Sequence, residues 1–169
     1  MKGRYSVLLA AALLVTGCTV SVNGTPGPTA GRSWAVNPCS LLTDAEAKQL
    51  GLQTPGTPKP AAPQYRTPPS CLWSPASPDA AYEGSLQAFY ATDQPIDQYY
   101  TTKSTVRVQL GGLVWDRYPS AVGDFICDLA VRLSNSSFVA LSSQDLANTT
   151  KACAVAQAAA PVVARHLSK

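Results

Sequence analysis

The chain has 169 residues, with thirteen lysines and arginines against ten aspartates and glutamates, fourteen prolines, five cysteines and a single histidine. Its basic residues are scattered singly, without the stripe or cluster that neutralises nucleic-acid phosphates, so no nucleic acid is expected as a partner. The lone histidine, His166, stands three residues from the end, and the four cysteines after Cys18 are at least 26 positions apart. These spacings argue against a metal site and against a Ser/His/Asp or Cys/His nucleophile.

Lys2 and Arg4 precede an apolar run from Tyr5 to Val15, broken only by Ser6, which leads into Val15-Thr16-Gly17-Cys18. A run of about ten residues suits a signal-peptide core and falls short of the ~20 needed to span a bilayer. The last four residues have the form of a lipobox: Gly17 lets a peptidase approach the backbone, and the Cys18 thiol is the nucleophile that diacylglycerol transfer needs. Residues 1–17 are therefore expected to be a lipoprotein signal peptide. Residues 18–36, rich in Thr, Gly, Pro and Ser, are a flexible tether from lipidated Cys18, with Trp34 packed on the domain edge. Residues 37–169 are one domain on the extracytoplasmic face of the cell membrane. Without residues 1–17 eleven basic residues face ten acidic ones, so net charge carries no partner preference.

Cys39, Cys71, Cys127 and Cys153 remain, and an even number in an exported chain reads as two disulfides. Three pairings are open. Cys39–Cys71 and Cys127–Cys153 are favoured because each pair brackets one compact stretch of chain.

Thr43 is a good N-cap with Glu46 three residues on, a capping box that starts a helix over 43–50, with Leu42 and Ala47 as its hydrophobic staple and Gly51 ending it. Residues 53–69 hold six prolines and read as an extended surface loop. Residues 84–91 read as a strand, with Leu86, Ala88 and Tyr90 alternating against Phe89. Asp93 is placed to cap a short helix that has Pro95 in its first turn and carries Ile96, Tyr99 and Tyr100 on one face. Val106, Val108 and Leu110 alternate in a half-buried strand. Gly111-Gly112 turns it back through residues 113–118, with Val108 facing Trp115. Residues 125–133 form the clearest strand, its odd positions apolar and Cys127 facing the core. Asn135-Ser136 turns into a second strand over 138–142. Asn148 or Thr149 then caps a closing helix through 151–167. Its stripe is Ala152, Val155, Ala156, Ala159, Val163 and Leu167, and Pro161 kinks it or ends its first half. Together these elements predict an α+β domain: an antiparallel sheet with helices packed on one face and two disulfides.

No catalytic constellation, metal site or cofactor site is expected. Asp124 and Asp128 share the polar face of a strand with Arg132, which reads as the wet side of a half-buried sheet with surface pairing. Tyr82, Phe89, Tyr90, Tyr99, Tyr100, Trp115 and Tyr118 concentrate between positions 82 and 118. They are the candidate surface for a small apolar ligand or an envelope protein, although the plainer expectation is that they fill the core.

Asn37-Pro38-Cys39-Ser40-Leu41-Leu42-Thr43-Asp44-Ala45-Glu46-Ala47, with Cys71-Leu72-Trp73, Cys127 and Cys153, resembles the actinobacterial lipoproteins of the domain of unknown function 3558 type. That family typically opens on Asp-Pro-Cys-Ser-Leu-Leu-Thr; here Asn37 replaces the aspartate and keeps its turn-forming character. The resemblance implies an envelope-exposed domain and the same disulfide pairing, and it assigns no activity. The expected role is a non-enzymatic binding or accessory module in the envelope. The alternative is a carrier or sensor with an apolar pocket for a lipid or cell-wall fragment.

Overall fold

A computed structural model describes residues 37–77 and 83–167; the segments expected to be signal peptide and tether, with Trp34, and Tyr82 lie outside the described residues. Asn37 opens the domain by capping a 3-10 turn, Pro38–Leu41, its side chain accepting a hydrogen bond from the Cys39 N–H at 3.0 Å. Thr43 then caps helix α1, Asp44–Gln49, through the anticipated box: the Glu46 N–H donates to the Thr43 hydroxyl at 3.3 Å, and the Glu46 carboxylate accepts from the Thr43 N–H at 2.9 Å. Leu42 and Ala47 flank the cap and are both buried.

The proline-rich stretch is not loop throughout. Thr57–Lys59 forms strand β1, which pairs with β2, Ser70–Trp73, and Pro63–Tyr65 is a 3-10 turn. Pro58 is tolerated because β1 is an edge strand, with one row of backbone groups that needs no ladder partner. The stretch is also anchored in the core. A Cβ on Gly56 would lie 2.5 Å from the Trp73 indole and 2.6 Å from the Cys71 sulfur, so only glycine fits there.

Strand β3, Glu83–Ala91, is followed by a four-residue helix α2, Ile96–Tyr99, whose N-cap is Pro95 with no side-chain hydrogen bond; Asp93 does not cap it. A meander follows: β4, Val106–Leu110; β5, Leu113–Tyr118; β6, Ile126–Ser134; and β7, Ser137–Asp145. The strands form one antiparallel sheet in the order β1-β2-β3-β7-β6-β5-β4. Gly111 and Gly112 make the predicted hairpin turn with φ +61° and +82°, and Val108 pairs with Trp115. Helix α3, Ala154–Leu167, closes the fold after a 3-10 turn, Thr149–Lys151, capped by Asn148. Pro161 lies inside α3 and does not end it.

The fold is therefore the expected α+β arrangement, with the disulfides Cys39–Cys71 and Cys127–Cys153. The larger core lies between one sheet face and α1 and α3. Trp73, Leu86, Trp115, Leu129, Val139 and Leu141 from the sheet meet Leu42 just before α1 and Ala47, Ala156, Ala159 and Val163 from the helices. Alanines on the buried side of α3 let it sit close to the strands. Ser143 ties the helix entrance down, donating to the Ala152 carbonyl and accepting from the Ala156 N–H.

The second sheet face differs from expectation. It is not a wet face, because Phe89, Ala91, Tyr118, Ala130, Phe138 and Ala140 are buried on it beneath Ile96. The reason is topological: residues 92–105 run from β3 near the middle of the sheet to β4 at its edge, so they cross above β7, β6 and β5.

Candidate functional site

That crossing segment carries Tyr99 and Tyr100 onto the second face. The Tyr100 ring stacks on Tyr118 of β5 with centroids 4.0 Å apart and planes at 9°, while Tyr99 meets Tyr100 edge-on at 4.8 Å. Tyr99 also approaches Phe138 at 5.3 Å and Phe89 at 5.7 Å. Rings in such offset and edge contacts hold one another in place, so the cluster is a packed unit that encloses no chamber of its own, and it meets the solvent only along its edge. Of the seven aromatic candidates, the structure brings Phe89, Tyr99, Tyr100 and Tyr118 together. It sets Tyr90 and Trp115 on the opposite face, where Trp115 is fully buried and its indole N–H donates to the Leu110 carbonyl at 3.2 Å.

Two residues of this face escaped the sequence reading. Phe138 completes the cluster, and Asp128, read as a solvated strand residue, is half-buried beside the tyrosines. The small or aromatic residues at Ala130, Phe138 and Ala140, on the supposedly wet positions of β6 and β7, were the signal that this face is covered. Burial pushes the Asp128 carboxyl above its ordinary range, against a lowering hydrogen bond from Ser142, its partner across β6 and β7. Burial likewise raises Tyr99 to about 12, helped by the negative charge of Asp128, and raises Tyr100 well above its usual value for the same reasons.

Clefts open on either side of residues 100–102. One, of about 270 Å³, has Asp128 beside Tyr99 and Tyr100, with Thr101, Thr102 and Ser120 contributing hydroxyl groups. The other, of about 470 Å³, is lined by Lys103 and by the ion pairs Arg107–Asp116 and Arg132–Asp97, each at 2.9 Å. A third cleft, of about 330 Å³, lies between the proline-rich segment at Pro63, Arg66 and Pro69 and the crossing segment at Gln94, before α2, and Gln98, within it. Among the described residues no three of His, Cys, Asp and Glu gather as a metal-binding group, and no helix is long and apolar enough to cross a membrane.

His166 lies far from these clefts in the chain and has a structural partner. Its Nε2 stands 2.9 Å from the Glu46 carboxylate, and Arg165 reaches the same group at 3.3 Å, so the end of α3 is tied to the start of α1. Desolvation raises the Glu46 carboxyl, but hydrogen bonds from the Thr43 N–H, His166 and the Thr43 hydroxyl outweigh it and bring it from 4.5 to about 2. A carboxyl whose folded value is depressed stabilises the fold above its unfolded value and loses that contribution as pH falls through the folded one. Stability is therefore expected to drop between about pH 4.5 and pH 2 in the parent protein and to drop less in Glu46→Gln, which keeps the capping box. At neutral pH the variant should lose no more than about 1 kcal/mol, because the pair is solvent-screened. Denaturant midpoints measured across this range check the difference; Asp128 titrates in both proteins and cancels. Parallel curves would show that Glu46 is not held by these partners.

No curated protein and no solved structure matches the chain. A family model does, over residues 13–166, nearly the whole sequence and the entire sheet with both disulfides. The chain belongs to the family of proteins of unknown function termed DUF3558.

Proposed function

We propose that the protein is a lipid-anchored module on the extracytoplasmic face of an actinobacterial cell membrane. It binds an envelope component or partner through its second sheet face and performs no catalysis. Export is supported by the lipobox at Val15-Thr16-Gly17-Cys18 and by two disulfides, bonds that persist in oxidising compartments. The absence of catalysis is supported by the engagement of the chain's one histidine with Glu46. The observation that carries the binding reading is the way the aromatic residues pack ring against ring, with clefts edged by threonines, serine and charged side chains alongside. A carrier would instead need an enclosed apolar chamber sized for its lipid.

The anchor is tested by Cys18→Ala. Mass spectrometry of the parent protein should find a mature N-terminus at an acylated Cys18, and the variant should accumulate as an unacylated precursor. A mature N-terminus elsewhere, with a free Cys18 thiol, would refute the anchor. The binding reading is tested by isolating the membrane-anchored protein and footprinting what accompanies it. A ligand or partner protecting residues 97–103 and 118–121 supports the module, whereas a lipid enclosed within the core would favour the carrier.

A further inference from the structure

Asp128 is a half-buried carboxylate in a cleft that supplies it with no positive charge. Its hydrogen-bond partner Ser142 is neutral. The two arginines on this face are already committed, Arg107 to Asp116 and Arg132 to Asp97, each at 2.9 Å. The cleft walls around the carboxylate are aromatic, from Tyr99 and Tyr100, and the hydroxyls of Thr101, Thr102 and Ser120 stand nearby.

Placing one anion in a partly desolvated site is costly unless a cation meets it there. A metal ion would require further ligands, and among the described residues no group of three His, Cys, Asp or Glu side chains forms. Aromatic side chains beside a carboxylate suit an organic cation, whose charge meets the carboxylate while its methyl or methylene groups pack on the parts of Tyr99 and Tyr100 that line the cleft. The volume, about 270 Å³, is that of a small head group and not of a whole lipid or peptide.

We propose that this cleft binds a small alkylammonium group, with Asp128 as its counter-ion and Tyr99 and Tyr100 as its aromatic wall. The inference rests on the reading of the second sheet face as the binding surface. The ammonium group can arrive as a free amine or as a phospholipid head group, and both present the same chemistry to Asp128.

The test uses the full chain in maltoside micelles, titrated with choline, with ethanolamine and with 3,3-dimethylbutan-1-ol, the neutral isostere of choline, at matched ionic strength. The amide resonances of Thr101, Thr102, Ala121 and Asp128 should shift saturably with the two cations and not with the alcohol. Asp128→Asn, which preserves size and the hydrogen bond with Ser142, should weaken choline binding by about tenfold or more. Phosphatidylethanolamine added to the micelles, against phosphatidylglycerol as control, separates the sources: stronger binding than free ethanolamine assigns a lipid head group, and equal or weaker binding assigns a free amine. The inference falls if the alcohol binds as well as choline, if Asp128→Asn binds equally, or if no resonance moves. Should it fall while a native partner still protects residues 97–103, the module reading stands without it. Should choline bind while nothing native protects that face, the cleft is a cation site and the module reading fails.

Discussion

Replacing Cys127 and Cys153 together by alanine is expected to destabilise the domain by about 5 kcal/mol. The bond closes a loop across a sequence separation of 26, for which chain entropy alone contributes about 3.5 kcal/mol. The rest is packing, because Cys127 is fully buried mid-strand on β6, Cys153 is nearly so at the entrance to α3, and alanine leaves the sulfur volumes unfilled. For a domain whose total stability is of order 5–15 kcal/mol, that is a large fraction.

The Cys39–Cys71 bond, with a separation of 32, differs from the other by only a few tenths of a kcal/mol in loop entropy. Its position between a proline-rich loop and the sheet suggests a restraint acting at the domain edge, but the structure places it deeper. Cys71 is fully buried, Gly56 fits against its sulfur and the Trp73 indole, and Cys39 holds the turn that delivers Leu41 and Leu42 to the core. Cys39→Ala/Cys71→Ala is therefore expected to cost about 4 kcal/mol and to loosen α1 as well as residues 53–69. It ranks below the other pair because Cys39 is only half-buried. Denaturant melts with matched m-values give the ranking, and hydrogen exchange locates the loosening. Loss of protection confined to residues 53–69 would mean that the first disulfide restrains only the edge.

Contacts between near neighbours in sequence were the legible ones. The Thr43–Glu46 box and the Gly111-Gly112 turn each close within a few residues, and the alternation of Cys127, Leu129 and Val131 along β6 marks the larger core. Strand β1 was hidden by the residue types that edge strands use to protect themselves, since Thr57-Pro58-Lys59 has a proline in the middle and no buried side chain. The second face was hidden for a different reason. Asp128 and Arg132 mark the same side of β6 as polar, whereas Asp124, expected on that strand, lies in the turn before it, and nothing within the strand reveals that residues 92–105 pass over it. Only the strand order supplies that fact, by sending β3 and β4 to distant places in one sheet. The aromatic candidates were sorted by the same accident of topology: Trp115 and Tyr118 are three residues apart on β5 and face opposite cores.

Gly111→Ala and Gly112→Ala should differ sharply, although both glycines sit in one two-residue turn. Each has a left-handed φ, +61° and +82°, and an L-residue forced there costs about 1 kcal/mol. At Gly112 that is the whole expected loss, because nothing lies within 4 Å of an added Cβ. At Gly111 the Cβ would stand 2.5 Å from the Cα of Pro161, 2.8 Å from the Ala164 Cβ and 3.1 Å from the Pro161 carbonyl oxygen. The nearest obstacle is backbone in the middle of α3, so no rotamer change relieves it, and either the hairpin lifts or the helix moves off the sheet. Overpacking of this kind adds about 2 kcal/mol, for a total near 3 kcal/mol. Adding Ala164→Gly to Gly111→Ala should recover only part of the loss, since it removes one methyl group and leaves the Pro161 Cα in place. Urea melts of the three variants check the order, and equal losses at Gly111 and Gly112 would mean that the β4–β5 hairpin does not rest on α3.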